Sequence, residues 1–229
     1  MTREFVAQGE PDRSLNWADF PRAEIRSRKT VLYRAARNGR GAWWFCACGR
    51  CRFDLAAPRG TCYSSTDRLC GLLECIGMSW CTGPLPVLEI SFLQQWTIHA
   101  HDVQFTLRLA NLTHRGAMGF RITNELSCMP GYELPQQYAR LFDDTRGRRG
   151  ARRFHGVKYR CRFDPGSHAH GVALFGGSGE IDWPSEEMQV DGGVIDGLRK
   201  IGIKVEYPPP LAALDLSDGS DLLDHLKTG

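Results

Sequence analysis

Hydrophobic and polar positions alternate over several short stretches of the chain and follow a helical period over only a few. Thr61-Cys-Tyr-Ser-Ser65 is short, aromatic and partly β-branched, which predicts a strand. Leu69, Leu72, Leu73 and Ile76 then recur at helical spacing and predict a helix with one apolar face. Ser65 or Thr66 is the expected N-cap, Asp67 falls in the first turn, and Gly77 is the expected stop. Further strands are expected over 30–35, 86–92, 103–109, 155–161, 171–175 and 199–207. Val103, Phe105, Leu107 and Leu109 give the cleanest alternation. Residues 135–143 read as a helix with proline in its first turn. Shorter helices are expected around 120–128 and 17–28, the latter within a polar N-terminal arm. Many strands with few, unevenly placed helices predict an α+β fold rather than a regular βαβ array. The expected organisation is an arm over 1–28, a domain over 29–207 and an acidic, polar tail over 208–229.

Composition narrows the classes. The 229 residues carry a net charge of +3, too little to argue for nucleic-acid binding. No apolar run approaches the roughly 20 residues that span a bilayer, and the N-terminus has no signal-peptide core. A cytoplasmic protein without a membrane partner is expected. Nine cysteines cannot all pair within one monomer, and in the cytoplasm they are expected as free thiols or metal ligands.

Cys46, Cys48 and Cys51 crowd one loop, with Cys62 as a conceivable fourth ligand. Structural zinc sites usually draw on two separated pairs, and no second pair follows downstream. Free thiols in a loop are therefore expected, and no metal. Gly176-Gly-Ser-Gly179 lacks both the Lys-Ser/Thr of a phosphate loop and the glycine spacing of a dinucleotide fingerprint, so it reads as a turn. His99, His101, His168 and His170 read as surface or loop residues. The arginines at 148, 149, 152 and 153 read as a solvated basic loop. Glu74, between Leu73 and Cys75, lies either at a partly buried site or on the polar flank of its helix.

Five short motifs gain meaning from their order: Tyr33-Arg34, Arg52-Phe53-Asp54, Thr61-Cys-Tyr63, Leu72-Leu-Glu74, and Gly156-Val-Lys-Tyr-Arg-Cys-Arg162 followed by Val172-Ala-Leu-Phe175. Over roughly residues 30–178 this pattern resembles the RES domain family, the toxins of Xre-RES toxin–antitoxin systems. The resemblance implies an ADP-ribosyltransferase-like fold with two small packed β-sheets and flanking helices. It implies NAD as substrate, cleaved at the nicotinamide–ribose bond with inorganic phosphate or water as acceptor, and an antitoxin partner with a helix-turn-helix domain. Carried over residue by residue, it places catalytic roles on Glu74, Arg34 and Tyr63, and NAD contacts on Arg34, Arg52, Tyr63 and Cys161. Cys161 stands where the family has serine, and a thiol is the weaker hydrogen-bond donor. Two other readings remain at this point: a mono-ADP-ribosyltransferase acting on a protein, and a thiolate–zinc binding module without enzymatic activity.

Overall fold

A computed structural model describes residues 8–83, 87–166 and 168–207. The chain opens with a short 3-10 turn at Trp17–Asp19 and strand β1 (Arg22–Ile25), continuing through β2 (Val31–Arg37), β3 (Trp44–Phe45), β4 (Arg59–Ser65) and helix α1 (Arg68–Thr82). Next come β5 (Val87–Glu89), α2 (Ile90–Leu93), β6 (Trp96–Asp102), β7 (Leu107–Asn111), α3 (Glu125–Cys128) and α4 (Glu133–Asp144). The last elements are β8 (Gly156–Tyr159), β9 (Gly171–Gly177), β10 (Gly179–Glu180), β11 (Glu186–Gln189), α5 (Gly192–Lys200) and β12 (Lys204–Glu206). The expected 208–229 tail lies outside the described residues.

The fold is α+β. Eight strands form one sheet in the order β1-β7-β8-β9-β4-β2-β6-β11, and β10-β3 and β12-β5 form two small ribbons. The large sheet has a seam. β4 pairs with β9, and β2 with β6, over seven residues each, whereas β2 and β4 share only Tyr33↔Ser65. It is therefore a five-stranded and a three-stranded half joined at one point. Both edges are four-residue strands rich in charge: β1 carries an Arg22–Glu24 ion pair, and β11 begins Glu186-Glu187.

α1 is set by its two ends. The Asp67 carboxylate accepts from Cys70 N at 3.0 Å, so Asp67 itself is the N-cap, in place of Ser65 or Thr66. The helix runs past Gly77, the expected stop. Gly77 is there for packing: a Cβ at this position would lie 2.2 Å from Cγ of Phe163. Leu72, Leu73 and Ile76 bury the apolar face against Ala35 of β2, Ile98 of β6 and the α5 residues Val194, Ile195 and Leu198. A second cluster on the same face of the sheet is mainly aromatic, with Trp17, Phe20, Tyr138, Phe142 and Phe154 packed between α4 and the strands.

Several expectations change. Arg22–Ile25, within the arm expected to hold a helix, is an edge strand on β7. β6, which is not among the expected strands, takes the buried place between β2 and β11, with polar residues alternating along it. The strand expected over 86–92 gives way to helix after Glu89, and the one over 199–207 is the end of α5 followed by a three-residue strand. No described helix is long and apolar enough to cross a membrane.

Gly77→Val should force the Phe163 ring aside. We expect a loss of about 1–3 kcal/mol from overpacking, read as a lower midpoint in denaturant unfolding.

Candidate active site

Glu74 projects from α1 with its side chain 17% exposed. One carboxylate oxygen accepts from Phe163 N at 3.1 Å, and the other lies 3.8 Å from Nη1 of Arg52. Burial raises its pKa above the ordinary carboxylate range, and the Phe163 amide and Arg52 oppose that rise. The Arg52 side chain is only 9% exposed, stands 5.9 Å from the Tyr132 ring centroid, and leaves Nε without a hydrogen-bond partner among the described residues.

Tyr63 supports this pair from β4. Its hydroxyl accepts from Phe53 N at 2.8 Å and donates to Oδ1 of Asp54 at 3.0 Å. Burial first, and the Asp54 charge next, push the phenol well above its usual pKa. The Tyr63 proton is thus committed to Asp54, and the residue holds in place the loop that presents Arg52.

Cys161 comes two residues after β8 ends, so the strand expected to reach it is shorter. Cys161 is 3% exposed, and its thiol hydrogen-bonds that of Cys70, which lies one helical turn before Glu74. Tyr159, also buried, packs on Phe53 with ring centroids 5.1 Å apart. Burial, with Glu74 as the nearest added cause, raises its pKa far above the ordinary value. Gly171 makes room for this ring, since a Cβ there would meet Tyr159 Cζ at 2.2 Å.

Arg52, Glu74, Tyr63 and Cys161 therefore gather on the α1 side of the sheet. Arg34 does not join them. Tyr33 and Ser65 are register partners, so their neighbours Arg34 and Ser64 point to the opposite face. There Arg34 bridges the seam: Nη1 donates to the Tyr63 carbonyl at 3.3 Å and to Cys62 Sγ at 3.6 Å, while Nε has no partner among the described residues. His99, paired with Arg34 across the strands, and His101 share this face. They are 5% and 0% exposed, contrary to the surface reading, and His101 stacks on Trp43 at 3.9 Å between ring centroids. Burial, helped by Arg34, lowers both pKa values, that of His101 to about 3.

Sequence reasoning gave no role to Asp54, Tyr159 or the Phe163 amide. Asp54 and Tyr159 sit inside the motifs quoted above, and Phe163 directly follows one of them. The signal for Asp54 was a lone carboxylate between apolar Phe53 and Leu55, where a buried partner is required.

The arrangement belongs to a recognisable fold. No family model matches the sequence, and no curated protein does. Among solved structures, a chain from the crystal structure of the Mycobacterium tuberculosis MbcT–MbcA toxin–antitoxin complex shares the fold. The TM-score is 0.52 at 14% identity, over 77% of this chain and 92% of that one.

The buried imidazole on the far face has a thermodynamic consequence. Unfolded His101 takes up a proton near the ordinary value of about 6.5, whereas the folded residue does so only near pH 3. Stability contributed by neutral His101 is full above the unfolded value and is lost as pH falls from there toward the folded one. Denaturant unfolding across this range should show that slope, and a stability independent of pH there would refute it.

Proposed function

We propose that the chain is an NAD-consuming enzyme that cleaves the nicotinamide–ribose bond, acting as a toxin held in check by an antitoxin protein. The observation that carries this reading is the half-buried Glu74 carboxylate paired with Arg52 beside Tyr63 and Cys161. The fold shared with a chain of a toxin–antitoxin complex supports it, as does the resemblance of the motif order to RES toxins.

The chemistry suits these groups. As the C1′–N bond breaks, nicotinamide leaves with the electron pair and positive charge develops on the ribose, as in glycoside cleavage. Glu74, ionised, stabilises that charge and orients the acceptor, which forms the new C1′–O bond and gives up a proton. Arg52, with its unpartnered Nε, faces phosphate oxygens of the substrate or an acceptor phosphate. Arg34 stands on the other face, where its buried guanidinium ties β2 to the Tyr63 carbonyl across the seam. Cys161 stands by Cys70 at the position where the family's serine would hold acceptor or ribose.

The purified chain incubated with NAD and phosphate should release nicotinamide. A phosphorylated ADP-ribose product identifies phosphate as acceptor, free ADP-ribose identifies water, and label retained on protein favours the transferase instead. Glu74→Gln should keep the fold and lower turnover by on the order of a hundredfold or more. Unimpaired cleavage by this variant would remove Glu74 from the chemistry.

The rate should also carry an acid limb. Because burial raises the Glu74 pKa, activity should fall on acidification with a midpoint above the roughly 4.3 of a free glutamate. A midpoint at or below that value would count against the buried carboxylate as the working group.

A further inference from the structure

We propose that Cys46, Cys48, Cys51 and Asp54 form a structural site for zinc, which locks the loop that carries Arg52. The sequence alone offers Cys62 as the fourth ligand, and the fold removes it: Cys62 is fully buried on the opposite face of the sheet, against Arg34. The fold supplies Asp54 in its place. Cys46, Cys48 and Asp54 bring their ligand atoms within 4.8 Å of one another. Cys46 and Cys48 sulfurs are 2.8 Å apart, and Cys48 Sγ lies 3.5 Å from Oδ2 of Asp54. The Cys51 thiol hydrogen-bonds that of Cys48, and its backbone N donates to the same Oδ2 at 3.1 Å. Two sulfurs and one carboxylate oxygen thus already face one another, and the Cys51 thiol, beside Cys48, stands next to them as the fourth donor.

The donor set is one that zinc takes. With Zn–S near 2.3 Å and tetrahedral angles, ligand sulfurs stand about 3.8 Å apart. The Cys48–Asp54 distance is close to the corresponding S–O edge, and the Cys46–Cys48 pair opens by about 1 Å to admit the ion. The backbone is shaped for it. Cys46 is fastened to Thr61 by a pair of backbone hydrogen bonds of 2.9 and 2.8 Å. Gly49, at φ +70°, makes the left-handed turn that brings Cys51 back towards Cys48. Cys48 is exposed while Asp54 is 2% exposed, so the ion has an open approach and a buried anchor. The two oxygens of Asp54 divide the work: Oδ1 accepts from Tyr63 and Oδ2 faces the sulfurs, which is the outer-shell support that metal-ligating carboxylates receive.

The test reads metal on the intact chain and does not depend on what that chain catalyses. Full-length protein, purified without a metal-chelating tag and reconstituted with zinc under reducing conditions, should hold one zinc per chain. Cobalt in its place should give the intense visible bands of a tetrahedral thiolate site. Cys48→Ser, at an exposed position, should lose both. Cys62→Ser should keep both, which separates this site from one completed by Cys62. Tyr63→Phe should weaken zinc affinity by roughly 10–100-fold through loss of outer-shell support. Zinc well below stoichiometry in the unmodified chain, or retention by Cys48→Ser, would overturn the proposal. A Cys46–Cys48 disulfide that persists under reduction would also overturn it.

Discussion

The Tyr63 hydroxyl, reaching from β4 into the loop before it, bonds Phe53 N and Asp54 at once. On either side of that tie stand Arg52, facing Glu74, and the three loop thiols. A buried phenol that accepts one hydrogen bond and donates another leaves neither loop partner unsatisfied, and breaking such a bond in the interior costs about 1–3 kcal/mol. The loop therefore has one low-energy position against the sheet, and the Arg52–Glu74 distance follows from it. Glu74 is held from the other side by the Phe163 amide, so both partners of the pair are fixed by backbone rather than by each other. This matters because an ion pair at 3.8 Å is too loose to organise a site alone.

Most elements that the sequence announces are those whose side chains report their surroundings by period, although the cleanest alternation, over 103–109, becomes strand only from Leu107 and leaves Phe105 exposed. The strand–helix unit around Tyr63 and Glu74, the helix near Pro135 and the β8 and β9 strands follow the alternation or helical spacing of their apolar residues. β6 alternates, with Trp96, Ile98 and Ala100 against Thr97, His99 and His101, but histidines read as surface or loop residues hid a strand that is buried on both faces. Their burial is tolerated by neutral imidazoles and by partners such as Asn38, which accepts from Thr97 at 2.8 Å. β1 escaped because an edge strand of Arg, Ala, Glu and Ile has almost no apolar face to show. α1 runs past its expected end because Gly77 answers to a ring that comes from 86 residues further along the chain rather than to a turn.

The site was legible to a similar depth. Residue types and order suggested Arg52, Tyr63, Glu74 and Cys161, and these converge. Adjacent residues on a strand must face opposite ways, so Tyr33 and Arg34 could not both look toward Glu74. Which of them does depends on the side that α1 covers, and that is a property of the whole sheet. Cys62 and Asp54 teach the same lesson: proximity in sequence made the thiol a companion of Cys46–Cys51, while strand direction sent it to the other face and left the carboxylate with the loop.

The sheet's two borders carry a consequence for how the protein behaves in a crowd. An open eight-stranded sheet exposes a row of unpaired amides and carbonyls at each end, which invites another chain to add a strand. Here each border is only four residues long. One presents arginine and glutamate side by side, the other two successive glutamates. An incoming strand must desolvate those charges over a short, poorly rewarded span. The architecture thereby discourages growth into fibrils or edge-to-edge dimers, and a contact with another protein is favoured on the faces and loops rather than along the sheet.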